Sequence, residues 1–178
     1  MENNITINRM VKESIELALI KLMSKKPFVQ ISISEIVNTA GVSRSSFYRN
    51  FDSKEQILIS YINGQYKDFF SATGIVSVYP EHPDIDGFLL PRFRFIREHK
   101  DFFIALRKNN LLYYIFEQLD PNILSLMCGQ DYSASPYYFA LFSGSCAGVV
   151  QAWIDNDFRE TEKEMAAIFA NHPLKTSR

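Results

Sequence analysis

Residues 32–51 read SISEIVNTAGVSRSSFYRNF, and this stretch decides the fold. Ser32 and Glu35 stand at the spacing of a capping box, in which the serine oxygen and the glutamate carboxylate each satisfy an orphan backbone amide at the start of a helix. Ile33, Ile36, Val37 and Ala40 then recur at helical intervals and make one apolar face. Gly41 can take the left-handed conformation that ends a helix abruptly. Beyond it, Ser43 is placed to cap a second short helix in which Phe47 and Phe51 fall on one face and Arg44, Ser45, Tyr48 and Arg49 on the other. The product is two short helices joined by a tight turn, apolar inside and small, polar and basic outside.

Working outward, Val11, Ile15, Ala18, Leu19 and Leu22 form a preceding apolar stripe that stops at Lys25, Lys26 and Pro27. On the other side, Asp52 or Ser53 with Glu55 or Gln56 starts a fourth helix through Ile57, Leu58 and Tyr61 toward Phe70. Ser71 to Asp84, with Gly74, Pro80 and Pro83, reads as a loop. Helical patterns resume over 86–98, 101–108, 111–119, 136–156 and 162–171, the last capped by Thr161 with Glu164. Pro91 calls for a kink or a later start in the first of these. Strand-like alternation is scarce, so the expectation is an all-α chain: a three-helix unit over residues 1–52, then a helical region over 53–178 with the fourth helix, about 53–70, as connector.

Composition narrows the function. The chain has 178 residues, 47% of them hydrophobic, enough to build a core without metals or disulfides. Cys128 and Cys146 sit in apolar surroundings, away from metal-ligand spacing with His82, His99 or His172, which fits a reducing cytoplasm and no metal site. The polar opening MENNITINRMVKES lacks the pattern of a secretory leader, so export is not expected. Gly144-Ser-Cys-Ala-Gly148 has the outline of a nucleophile elbow, but that motif needs a strand-to-helix turn; its small residues fit a packed helix face, and an enzyme is not expected. Tyr132 to Ile154 carries no charge, yet its serines, its Gln151 and its acidic flank at Asp155 and Asp157 fit a helix buried on most sides by its own protein better than a membrane span. The net charge is −1, with nine Lys or Arg against seven acids in residues 1–70 and ten against thirteen beyond, which permits a DNA-facing N-terminal end without demanding one.

Periodicity alone fits an ordinary solvated hairpin as well as a DNA reader. The chemistry of the outer face suits a groove: Arg44 and Arg49 can donate to guanine or phosphate, Ser43, Ser45 and Ser46 can donate or accept without bulk, and Tyr48 reaches phosphate. The string Ser32-Ile-Ser-Glu-Ile-Val, then Ala40-Gly-Val-Ser-Arg-Ser-Ser-Phe-Tyr-Arg-Asn-Phe-Asp-Ser-Lys-Glu-Gln-Ile-Leu58, closely resembles the TetR family of bacterial one-component regulators. The resemblance covers roughly residues 9–62. It implies double-stranded DNA as partner, Ser43 to Ser46 with Arg49 toward the major groove, Tyr48 and Lys54 on phosphates, and Ser32 as a further DNA-binding residue. Phe47 stands where the family often has Leu and Asn50 where it often has His, which leaves the base preference open.

A further similarity, to the ligand domains of TetR-like proteins from Gram-positive bacteria, rests on Asp101-Phe-Phe-Ile-Ala-Leu, Tyr137-Tyr-Phe-Ala-Leu-Phe and Val149-Val-Gln-Ala-Trp-Ile, with Asp157 where Gly is expected. It implies a cytoplasmic, ligand-responsive repressor that binds a palindromic operator as a homodimer. Its last two long helices would pair across a two-fold axis at Gly144, Ala147, Gly148 and Gln151. Phe88, Phe95, Phe103, Arg107, Tyr113, Phe116, Tyr138 and Phe142 are the candidate pocket for an unidentified small-molecule effector, with Arg92, Arg94, Arg97 and Gln118 as further polar candidates. No cofactor and no membrane partner are expected. The alternatives are an activator of the same fold and a helical protein-interaction module; steep salt dependence marks the DNA binder.

Overall fold

The computed structural model describes residues 2–73, 85–118 and 136–171, all of it helix, turn and connector. Nine α-helices run in order among the described residues: α1 (Glu2–Met23), α2 (Ile33–Ala40), α3 (Arg44–Asn50), α4 (Lys54–Thr73), α5 (Leu90–Glu98), α6 (Lys100–Lys108), α7 (Leu112–Gln118), α8 (Pro136–Asp155) and α9 (Glu162–Ala170). A 3-10 turn at Phe28–Gln30 lies between α1 and α2, and a π-helical turn at Ile85–Leu89 leads into α5. That turn and Pro91 in the first turn of α5 meet the expectation of a late helix start, because Pro lacks the amide that a first turn leaves unbonded anyway.

The N-terminal unit is closed by the residues the sequence put on its inner stripes. Ile15, Leu19, Ile36, Val37, Phe47, Phe51, Ile57 and Leu58 are all buried, so α1 to α3 pack on the first turns of α4. The capping box at Ser32 and Glu35 is formed, and Gly41 ends α2 at φ +68°. An L side chain at that φ is strained, and this is why the turn takes glycine. Ser53 Oγ accepts from the Gln56 amide at 3.2 Å and Gln56 Oε1 from the Asp52 amide at 2.7 Å, which starts α4 where the sequence placed it. Helix α1 begins about two turns earlier than its apolar stripe, and Ile7 and Met10 on that extension are exposed.

The C-terminal core gathers Phe93, Phe95, Phe102, Phe103, Phe116 and Trp153. Helix α8 differs from its sequence reading. Ser143, Cys146, Ala147, Val150 and Trp153 face inward, while Leu141, Gly148, Gln151 and Ala152 are exposed. Its own chain therefore covers one side of this helix, which carries no charge before Asp155. The loop expected over 71–84 falls outside the described residues from 74 on, and Cys128 and His172 lie outside them too. None of the described helices is long and apolar enough to cross a membrane.

The α8–α9 turn explains Asp157. It has φ +53°, and so does Phe158, so the chain makes here the left-handed turn for which Gly was expected. Packing holds it in place: Phe158 stacks edge-on against Trp153 at 4.9 Å, and Arg97 donates to the carbonyls of Phe158 at 3.1 Å and Glu160 at 2.6 Å.

Candidate nucleic-acid interface and effector cleft

Helix α3 separates its jobs by face. Phe47 is fully buried and Phe51 nearly so, fixing the helix on the core. Ser43 caps it, its Oγ accepting from the Ser46 amide at 3.0 Å and pairing with Ser46 Oγ at 2.9 Å. Arg44, Ser45, Tyr48 and Arg49 are exposed, on the side away from the core. Tyr48 lays its ring edge-on to Phe47 at 5.2 Å, which steadies a side chain that is otherwise 58% exposed. Asn50 turns back on its own helix, donating to the Ser46 carbonyl at 2.8 Å. Arg44 donates to Ser34 Oγ, so the first arginine of α3 leans on the start of α2. Sequence reading missed Ser34, because only the crossing of α2 and α3 brings the two together.

Ser32 and Lys54 also have work inside the fold. The Ser32 amide and hydroxyl bond Glu35, which is also ion-paired with Lys26. Lys26 first, then the Ser32 amide and hydroxyl, hold the Glu35 carboxyl down to about 2. The Lys54 ammonium donates to the Phe28 carbonyl at 2.7 Å and the Ile31 carbonyl at 3.1 Å, and sits 4.4 Å from the Phe28 ring centre. An ammonium has three protons, and these carbonyls take two of them. On its other side the Phe28 amide donates to Asn109 Oδ1 at 2.6 Å, and Asn109 Nδ2 donates to the Ala105 carbonyl at 2.8 Å. Phe28 thus joins the start of α4 to the turn after α6. A second polar tie, Ser60 Oγ donating to Glu16 at 2.8 Å, links α4 to α1.

Residues 17–61 match the family model described as bacterial regulatory proteins of the tetR family, and residues 84–172 match a model described as a transcriptional regulator C-terminal region. This chain belongs to the TetR family. As a TetR-family protein it is a DNA-binding transcriptional regulator. It is 30% identical over 105 residues, 57% of the chain, to the uncharacterized HTH-type transcriptional regulator YerO of Bacillus subtilis. It is also 42% identical over 43 residues, 24% of the chain, to the HTH-type transcriptional regulator EthR of Mycolicibacterium smegmatis. These alignments span only 36% and 20% of the relatives' own lengths.

In the second half of this TetR-family chain, a narrow cleft with about 40 Å³ of enclosed space, partly open to solvent, lies between α5, α7, α8 and α9. Among the described residues, Arg92, Phe93 and Ile96 line it from α5, Cys146, Val149 and Val150 from α8, and Leu89, Phe116 and Phe169 beside them. Of the aromatic pocket candidates named from sequence whose side chains are described, Phe116 lines it. Phe95 and Phe103 are core residues that stack on each other edge-on at 6.3 Å. Tyr113 is 48% exposed and lies 3.8 Å from where a Cβ on Gly144 would stand. Arg107 makes a forked ion pair with Asp155, both bonds at 3.0 Å, clamping α6 to α8. The side chains of Phe88, Tyr138 and Phe142 lie outside the described residues. Among the polar candidates, Arg97 braces the α8–α9 turn, Arg94 and Gln118 are exposed, and Arg92 faces the cleft.

The four residues named for dimer contact also divide. Gly148 and Gln151 are exposed, and nothing stands within 4 Å of a Cβ built on Gly148. Gly144 is half-buried and close to Tyr113, whereas Ala147 is 6% exposed and packs into its own chain. Ala147 is therefore a core residue: a step of one along a helix turns a side chain by about a quarter of the circumference, so it leaves the face that carries Gly148. Cys146 lies inside α8 with no strand or elbow turn around it, and burial pushes its thiol above the ordinary range, with Arg92 pulling the other way.

Proposed function

We propose that this protein is a ligand-responsive repressor that binds a palindromic operator as a homodimer, with α3 in the major groove. The exposed outer face of α3 carries the reading: Arg44, Ser45, Tyr48 and Arg49 stand on it in reach of solvent, while Phe47 and Phe51 hold the helix firmly enough to present them. Ser43 and Ser46 keep the helix start narrow, so it can approach base edges. Arg44 or Arg49 can take a guanine edge, Tyr48 and the third Lys54 proton take phosphate, and Ser32 holds the entry of α2 at the backbone. The unit of α1 to α3 over residues 1–52 carries the groove contacts, and α4 connects it to the effector and dimer region. Acting on chromosomal DNA puts the protein in the cytoplasm.

The dimer is supported by α8, whose exposed face from Leu141 through Gly148 to Gln151 and Ala152 has no charge to keep it in water. A second copy would cover it, together with Ile168 of α9, which is 55% exposed. Two recognition helices would then meet half-sites about one helical turn apart or a multiple of it. The test is selection of bound fragments from genomic DNA, followed by titration of the recovered sequence at rising salt. A palindrome and a steep salt slope are expected; recovery of random sequence alone overturns the reading. Gly148→Leu should give monomers that keep their helix content and lose specific binding. Wild-type protein sedimenting as a monomer at micromolar concentration defeats the dimer.

A further inference from the structure

Two attachments of different kind hold the unit of α1 to α3 on the rest of the chain. One is α4 itself, which runs out of that unit and packs on the body by its rings: Tyr61 lies 4.8 Å from Phe102, and Tyr66 meets Phe95 edge-on at 5.4 Å. Contacts along a single rod leave a turn about its axis less well determined than a directed bond off that axis does. Such a bond stands at Phe28. Pro27 precedes the 3-10 turn and makes no side-chain cap, so the Phe28 amide finds no partner among its neighbours. Asn109, 81 residues on, supplies the acceptor at 2.6 Å. That acceptor is itself held still, because Asn109 Nδ2 donates to the Ala105 carbonyl at 2.8 Å. Asn110 then turns at φ +57°, and the amides of Asn110 and Leu111 bond the Arg107 and Leu106 carbonyls at 3.2 and 2.9 Å, the two bonds of a Schellman end to α6. The Phe28 carbonyl accepts from Lys54 at 2.7 Å. The body therefore grips Phe28 by its amide, and the first turn of α4 grips it by its carbonyl.

We propose that Asn109 is a positioning residue for operator recognition: its bond to Phe28 fixes the angle of the helix-turn-helix unit on the body, and through that angle the half-site spacing the dimer accepts. Asn109 acts through Phe28 rather than on DNA. Helix α3 packs on α1 and α2, so a turn of the unit about α4 carries the recognition helix with it. In a two-fold dimer both units turn, and the change in separation of the two recognition helices is doubled. A base-pair step advances a half-site by about 3.4 Å and rotates it by about 35°, so a modest turn exchanges one spacing for another. The inference rests on the reading of a homodimer on a palindrome; the bond to Phe28 is measurable without DNA.

Three duplexes test it with the full chain: the operator recovered by selection, the same operator with one base pair inserted or removed at its centre, and an isolated half-site. The proteins are wild type, Asn109→Ala, Asn109→Asp, which keeps an acceptor oxygen, and Ile115→Val, which loosens the core of α7 without touching the bond. Wild type is expected to lose at least about tenfold in affinity when the spacing changes, the scale of a lost base contact. Asn109→Ala should bind the half-site within about twofold of wild type, bind the operator more weakly, and show a spacing penalty of about threefold or less. Asn109→Asp and Ile115→Val should keep the wild-type penalty, which separates positioning from mere loss of stability. A penalty in Asn109→Ala as large as in wild type, a parallel loss of half-site and operator affinity, or the same relaxation in Ile115→Val overturns the proposal. So does a Phe28 amide that exchanges its hydrogen freely in folded wild type. Should Asn109→Ala fail to fold, Asn109→Ser takes its place with the same expectations, since its hydroxyl can still bond the Ala105 carbonyl but is too short to reach Phe28. Wild type with no spacing preference refutes the palindrome reading and this inference with it, whereas a wild-type preference that survives Asn109→Ala refutes this inference alone.

Discussion

Replacing Lys54 by Met keeps most of the apolar stem and removes the ammonium. With it go two carbonyl bonds, at 2.7 Å to Phe28 and 3.1 Å to Ile31, and the cation–π approach to the Phe28 ring at 4.4 Å. A hydrogen bond to a charged group contributes about 1.5 to 3 kcal/mol and a cation–π interaction about 0.5 to 1 kcal/mol at exposed sites. Lys54 is half-buried and the carbonyls can partly rehydrate, so the expected loss is about 2 to 3 kcal/mol rather than the full sum. At about 2 to 4 °C per kcal/mol for a chain of this length, the melting temperature should fall by about 4 to 12 °C. Lys54→Arg should recover only part of this, because a planar fork cannot place one charge between two carbonyls and over a ring. Thermal melts at fixed protein concentration read the first effect. Operator titrations across a salt series read the second, a slope smaller by about one unit for each phosphate that Lys54 no longer neutralises. An unchanged melt with a reduced slope would refute the reasoning, since Lys54 would then serve DNA alone and the carbonyls would not need it.

Asn109→Ala should cost about 1 to 3 kcal/mol in a denaturant titration, because the part-buried Phe28 amide loses its acceptor at 2.6 Å; an unchanged midpoint would mean that water replaces the side chain freely. Burial holds the Glu16 carboxyl above its ordinary value of 4.5, against the hydrogen bond from Ser60. The folded state thus binds that proton more tightly than the unfolded one, and its stabilising contribution is complete below 4.5 and lost as pH rises through the folded value. Glu16→Gln should therefore melt higher than wild type at pH 7, with the gap closing toward acid; a variant less stable than wild type at pH 7 would show that the charged form is the one the site is built for. Asp157→Gly should raise stability by about 0.5 to 1 kcal/mol, since φ +53° costs glycine nothing, and a lower melting temperature would point to a role for the Asp157 side chain.

What could be read along the chain was whatever a few consecutive residues settle among themselves. The capping boxes at Ser32 with Glu35 and at Thr161 with Glu164, the left-handed Gly41, the cap at Ser43 and the inward Phe47 and Phe51 all follow from spacing, and all stand in the structure as expected. So does the all-helical order, because amphipathic period and end signals act within a turn or two. Lys54 bonding carbonyls 23 and 26 residues away, Asn109 reaching Phe28, and Arg107 clamping Asp155 needed the helices to be placed first. The cleft needed this too: Arg92, Cys146 and Phe169 share a wall only because α5, α8 and α9 cross there, and periodicity that marks a residue as inward does not say whether it meets a neighbour or a gap. Tertiary packing likewise divided Ala147 from Gly148 on α8. The local pattern calls both small, and only the helix's rotation against the core decides which one faces its own chain and which one is exposed.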